Sequence, residues 1–118
     1  MTERPEPEIH VVGPGEPVAA VVGGVHGDEP CGVWAVRRLR GRIEAGELEL
    51  NHAVKLIVAN PPAVAANERF LAVDMNRSFP GDVDGLDEEH LASVLCGAIA
   101  DIPTLTLHST HSRLTPFA

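Results

Sequence analysis

The sequence predicts an α/β fold, a mostly parallel or mixed sheet with helices on its faces, and three observations carry that reading. Apolar runs of strand length alternate with stretches of three- and four-residue apolar spacing, which is the order of crossover-connected strands. The strand-like run PVAAVVG is continuously apolar, as in strands covered on both faces. Three of the runs end in loops holding His26, Asn60 and His108, where open α/β sheets bind ligands.

Residues 1–7 read as a loose, Pro-rich tail and 8–118 as one domain or part of one. A strand is expected at about 8–12 (EIHVV), closed by the turn Gly13-Pro14-Gly15, whose residues suit special backbone angles. A second strand follows at about 17–23. The segment Gly23-Gly24-Val25-His26-Gly27-Asp28-Glu29 is a glycine-rich bend, with Asp28 as candidate N-cap and Pro30 in the first helical turn. The helix is expected to reach about Ile43, because Val33, Val36, Leu39 and Ile43 form one apolar stripe. Arg37, Arg38, Arg40 and Arg42 lie mostly off that stripe and read as a solvated face.

A third strand is expected at about 53–59, stopped by Asn60-Pro61-Pro62 because proline cannot extend the ladder. Residues 60–86 read as a long polar, glycine-containing connection, and loops of that length are usually functional or disordered. A second helix at about 87–100 opens with Asp87 as candidate cap. Glu88 and Glu89 stand in its first turn, where the dipole favours acids. A final strand at about 103–107 leads into His108.

Composition narrows the partners. The 118 residues are 44% apolar but only 3% aromatic, so aliphatic side chains must fill the core. Seventeen acids oppose nine Lys and Arg, giving a net charge of −8. That balance disfavours nucleic acid and anionic membranes as partners. The acidic start MTERPEPEIH is unlike a secretory signal, and Cys31 and Cys96 do not make a disulfide framework. Both cysteines are expected reduced and buried in a cytoplasmic protein. An unfinished sheet edge would permit self-association.

His26 and Glu29 are three residues apart across a tight turn, so both can reach one ion, and His108 can join them from another strand end. Two imidazoles and one carboxylate leave a fourth position open, as in catalytic zinc sites. Alone, His-x-x-Glu is weak; its setting between a buried strand, glycines and a helix strengthens it. The connection also holds Arg69, Asn76 and Arg77. Arginines there suit a carboxylate on a small anionic substrate. The bland alternatives are a loop histidine, a dipole-stabilising first-turn acid and a surface loop whose arginines pair with nearby acids.

GGVHGDEPCG, NPPAVAANERF, DMNRSFPG and LTLHST, spanning residues 23 to 110, resemble the succinylglutamate desuccinylase/aspartoacylase family, which is similar to the zinc carboxypeptidases. The resemblance implies a zinc-carboxypeptidase-like fold and hydrolysis of the amide bond of an N-acyl amino acid. It implies zinc as cofactor, held by His26, Glu29 and His108. It further implies that Asn76 and Arg77 hold the substrate carboxylate, and that Arg69 is a catalytic residue that binds and polarises the scissile carbonyl.

Two departures qualify those expectations. The family usually has Asp two residues before the third zinc histidine, where this sequence has Thr106. Its general base is a Glu well downstream of that histidine, beyond Ala118. The chain is therefore expected to be the truncated N-terminal part of the catalytic domain, binding zinc with little turnover alone. A non-catalytic zinc-binding or interaction module is the alternative. A nucleotide-binding domain is weaker, since the glycine turn has neither G-x-G-x-x-G nor a P-loop lysine. His111 is a rival to His108; His10, His52 and His90 read as surface or partly buried residues.

Overall fold

A computed structural model describes residues 4–109. It contains strands β1 (Glu8–Val12), β2 (Pro17–Gly23), β3 (Ala53–Val58) and β4 (Thr104–Thr106). Helices α1 (Pro30–Glu44), α2 (Pro61–Ala66) and α3 (Asp87–Ile99) connect them, with a single 3-10 turn at Met75–Arg77. The sheet order is β1-β3-β2-β4. β2 is parallel to both β3 and β4, while β1 is antiparallel to β3. The mixed α/β sheet expected from the sequence is thus observed.

The strands bury side chains on both faces. Ala20, Val22 and Ile57 pack with Leu91, Ala92 and Leu95 of α3 and with Met75. Leu56, Val58 and Val12 pack on the other side with Val33 and Val36 of α1. Alternation along β3 sends Leu56 and Val58 one way and Ile57 the other. The stripe of α1 behaves as its spacing requires, with Val33 and Val36 buried and Leu39 and Ile43 packed at its margin. Three of the four arginines on that helix form exposed ion pairs: Arg37 with Glu8, Arg40 with Glu44 and Arg42 with Glu47. Among the described residues, no helix is long and apolar enough to cross a membrane.

Several local expectations are corrected. The connection from 60 to 86 is not structureless. Asn60 Oδ1 accepts the Ala63 N–H at 3.3 Å, and Pro61 stands at the first helical position, where its missing N–H costs nothing. The same proline that stops β3 therefore starts α2, and Asn67 ends it in the left-handed region at φ 54°. The cap of α1 is Glu29 rather than Asp28, with no side-chain cap bond. α3 begins after Leu86, whose N–H is accepted by Glu89 at 2.9 Å, so Asp87 is its first residue and not its cap. Cys31 is exposed and Cys96 half-buried, because Cys31 lies off the Val33–Val36 stripe. Residues 4–7 also touch the fold: Arg4 donates to the carbonyls of Val83 and Gly85, and Pro7 is buried.

Glu88 is the largest departure from the sequence reading. Instead of a solvated first-turn acid it is 1% exposed. Its carboxylate accepts the N–H groups of Leu71 (2.8 Å), Ala72 (2.9 Å) and Val73 (3.0 Å), and the Asn60 amide at 3.1 Å. Burial pushes its pKa up, but the hydrogen bonds from Leu71, Val73, Asn60 and Ala72 outweigh burial and hold it below the ordinary 4.5.

Two predictions follow from this packing. A Cβ on Gly23 would collide with the backbone of Gly32, whereas one on Gly41 would meet nothing within 4 Å. Gly23→Ala is expected to cost about 1–3 kcal/mol or more, and Gly41→Ala to add about 0.5–1 kcal/mol. Thermal unfolding of both variants reads the contrast. The lowered pKa of Glu88 means its contribution is complete above pH 4.5 and fades as pH falls through the folded-state value. Glu88→Gln, which leaves an N–H facing an amide NH2, should cost about 1–3 kcal/mol at neutral pH. It should also flatten, without abolishing, the loss of stability below pH 4.5 in denaturant titrations, because Glu8, Glu29 and Asp74 are shifted in the same direction.

Candidate metal centre

The three parallel strands deliver their C-terminal ends to one side of the sheet. β2 exits into His26, β3 into Asn60 and β4 into His108. Gly24, at φ +72°, turns the chain out of β2. At Gly27 an added Cβ would collide with the Ala63 carbonyl, and the Gly27 N–H donates to Arg69 O at 3.2 Å. The bend is thereby wedged between α1, α2 and the connection, which fixes where the His26 side chain points.

His26, Glu29 and His108 come together: one donor atom from each lies within 4.8 Å of the others. His26 Nδ1 stands 2.7 Å from Glu29 Oε2, and His108 Nδ1 stands 3.3 Å from Glu29 Oε1. Both imidazoles thus turn the same nitrogen toward one carboxylate. His26 and Glu29 are buried, while His108 is exposed. The second nitrogen of His26 is 2.8 Å from Asp74 Oδ1. Both ring nitrogens thus face carboxylates, which only accept; with a metal at Nδ1, Asp74 would accept the Nε2–H and orient the ring. The donor set, two imidazoles and an anionic oxygen with one side open, fits a borderline dication such as zinc.

The charges around the cluster are mutually compensated. Burial raises the pKa of Glu29, but the Ser109 N–H at 3.0 Å and His26 hold it below the ordinary carboxylate range. Burial likewise raises that of Asp74, while His26, the Asn76 N–H and Arg69 more than reverse the effect. Both carboxylates are therefore ionised at neutral pH.

Arg69 is half-exposed, with Nη1 3.7 Å from Glu29 Oε2 and Nε 4.0 Å from Asp74 Oδ2. Arg77 reaches Asp74 at 3.8 Å but is otherwise exposed. Asn76 lines a cavity of about 290 Å³ together with Phe79, Thr106 and His108. The metal-type cluster, the two arginines and Asn76 thus share one neighbourhood. A larger groove of about 540 Å³ lies on the other side of Gly27, around Trp34, Arg37, Arg38 and Asn67, and carries neither carboxylate nor imidazole.

Two site groups escaped the sequence reading. Asp74 stood inside a conspicuous motif without a role, although its capping position before a 3-10 turn was a local signal. Glu88 gave none, since a first-turn acid on a helix is ordinary. Of the remaining histidines, His90 is buried and its Nδ1 donates to Val83 O at 2.8 Å. His10 bonds Glu8 at 3.1 Å and His52 is exposed. His111 falls outside the described residues.

Comparison with known proteins agrees with this architecture. The family model for the succinylglutamate desuccinylase/aspartoacylase catalytic domain matches residues 16–111. The chain is 36% identical, over 118 aligned positions, to the N-alpha-acetyl-L-2,4-diaminobutyric acid deacetylase of Halomonas elongata, covering 93% of this chain and 34% of that enzyme. A succinylglutamate desuccinylase/aspartoacylase structure from Rhodobacter sphaeroides superposes with a TM-score of 0.71 at 32% identity, over 86% of this chain and 33% of that one. Murine aminoacylase 3 superposes with a TM-score of 0.62 at 33% identity, over 80% and 36%. The chain therefore spans about a third of the length of these relatives. It belongs to the succinylglutamate desuccinylase/aspartoacylase family of N-acyl amino acid deacylases.

Proposed function

We propose that this chain carries the zinc-binding and carboxylate-binding half of a deacylase active site that cleaves the amide bond of a small anionic N-acyl amino acid. One observation carries the reading: His26 and His108 present the same ring nitrogen to Glu29, with Arg69 beside that carboxylate. Zinc held by His26 Nδ1, Glu29 and His108 Nδ1 supplies Lewis acidity, making a water more acidic and a carbonyl more electrophilic.

The chain's own residues do the rest of the proposed work. Asp74 keeps His26 in the tautomer that leaves Nδ1 free and stops the ring from rotating. Arg69 donates to the carbonyl oxygen as negative charge develops on it. Arg77 and Asn76, on the 3-10 turn, grip the amino-acid carboxylate, Arg77 as a charged fork and Asn76 through its amide NH2. The downstream glutamate implied by the family resemblance is not among these 118 residues. The chain alone is therefore proposed to bind substrate and zinc while lacking the base.

The alternative, a non-catalytic zinc-binding module, draws on Thr106, which lines the cavity beside His108 where the resemblance leads one to expect an acid.

Zinc titration tests the ligand set. One equivalent should bind, and His26→Ala or Glu29→Ala should weaken binding by more than about 100-fold, since even residues that only orient a ligand are worth roughly 10- to 100-fold. Asp74→Asn should fall in that orienting range. Zinc affinity unchanged in His26→Ala would sink the assignment. Arg69→Ala should leave zinc affinity within about threefold while lowering kcat by roughly 100- to 1,000-fold in a longer protein carrying this segment and the downstream glutamate. The 118 residues alone should hydrolyse N-acetyl or N-succinyl amino acids at no more than about one-hundredth of that protein's rate. Stoichiometric zinc with no turnover in the longer protein would favour the non-catalytic reading instead.

A further inference from the structure

We propose that Glu88 is a positioning residue for the metal centre: its buried carboxylate holds residues 71–73 by their backbone N–H groups and so sets Asp74 and Arg69 against His26 and Glu29. The inference rests on the zinc reading above and concerns a residue, Glu88, that has no part in the chemistry itself.

Three consecutive N–H groups, from Leu71, Ala72 and Val73, converge on the two oxygens of this one carboxylate. Consecutive amides aimed at one point form a cradle for an anion, and here the anion is supplied by the first turn of α3, where the helix dipole also favours it. Asn60 completes the arrangement. Its Oδ1 accepts from Ala63 while its Nδ2 donates to Glu88, so the exit of β3 and the start of α3 are tied through the same pair of side chains.

Both ends of the anchored tripeptide carry site groups. Asp74 follows Val73 directly and accepts from His26 Nε2 at 2.8 Å. Arg69 lies two residues before Leu71, and its carbonyl accepts the Gly27 N–H beside His26. A charge buried to 1% exposure is costly, and hydrophobic contact could have packed this segment against α3 more cheaply. What packing cannot do is fix the rotation of a peptide run, and rotating residues 71–73 would swing Asp74 off His26.

A double-mutant cycle on zinc affinity in the full chain separates positioning from general support. Glu88→Gln should weaken zinc binding by roughly 10-fold in the wild-type background, as loss of an orienting partner does. In an Asp74→Asn background the same change should cost less than about twofold, since its route to the metal is already cut. Glu88→Asp, which keeps the charge on a shorter arm, should give an intermediate loss and serves if the glutamine variant unfolds. Val36→Ala, on the opposite face of the sheet, supplies a control with a comparable fall in Tm, and its zinc affinity should not move.

Equal losses in both backgrounds, or a fall in Tm with zinc affinity intact, overturn the proposal. Should the wild-type chain bind no zinc, the metal reading itself fails and positioning is read instead from the imidazole nitrogen resonances of His26. Glu88→Gln must then shift them and Val36→Ala must not; unmoved resonances in Glu88→Gln overturn the proposal.

Discussion

The cluster depends on a place where three backbones meet with no side chain between them. Gly23 at the end of β2 faces Gly32 in the first turn of α1 so closely that a methyl group on Gly23 would strike the Gly32 backbone, and one on Gly32 would strike the Leu107 carbonyl. Only glycine permits this. Because α1 can start hard against the strand it follows, Glu29 stands beside His26 instead of a turn away. Because the exit of β4 closes on the same point, His108 is brought to the far side of that carboxylate. The short reach of a glutamate side chain makes the arrangement intolerant of any wider spacing.

Around that meeting point the molecule stacks layers of polar support. Glu29 is shared by His26, His108, Arg69 and the Ser109 N–H. Asp74 serves His26, the Asn76 N–H and two arginines. Glu88 then holds the segment that ends in Asp74. Each of these carboxylates is stable in its charged form because donors converge on it, and each fixes groups nearer the cluster. On the less buried side, His108 borders the cavity that Asn76 and Thr106 also line.

Side-chain caps and one close glycine contact give the connection its defined path. Asn60 caps α2, Asp74 caps the 3-10 turn and Gly81 packs against the backbone of Ser93. Phe70, Leu71, Phe79, Val83 and Leu86 of this connection remain exposed, so side-chain-to-backbone bonds take over much of the role that core packing plays elsewhere. That makes the segment sensitive to the ionisation of a few acids.

The sequence by itself determined the type and limits of the strands and the long helices, because periodicity and Gly or Pro boundaries are local properties. It also determined that His26 and Glu29 share one turn, since three residues of chain leave little freedom. Only the tertiary structure decided that β1 runs antiparallel beside β3, that Asp74 meets His26 across 48 residues, and that Glu88 is buried. Those outcomes depend on strand order and on which helix covers which face. A first-turn acid looks the same in sequence whether it faces water or three converging amides.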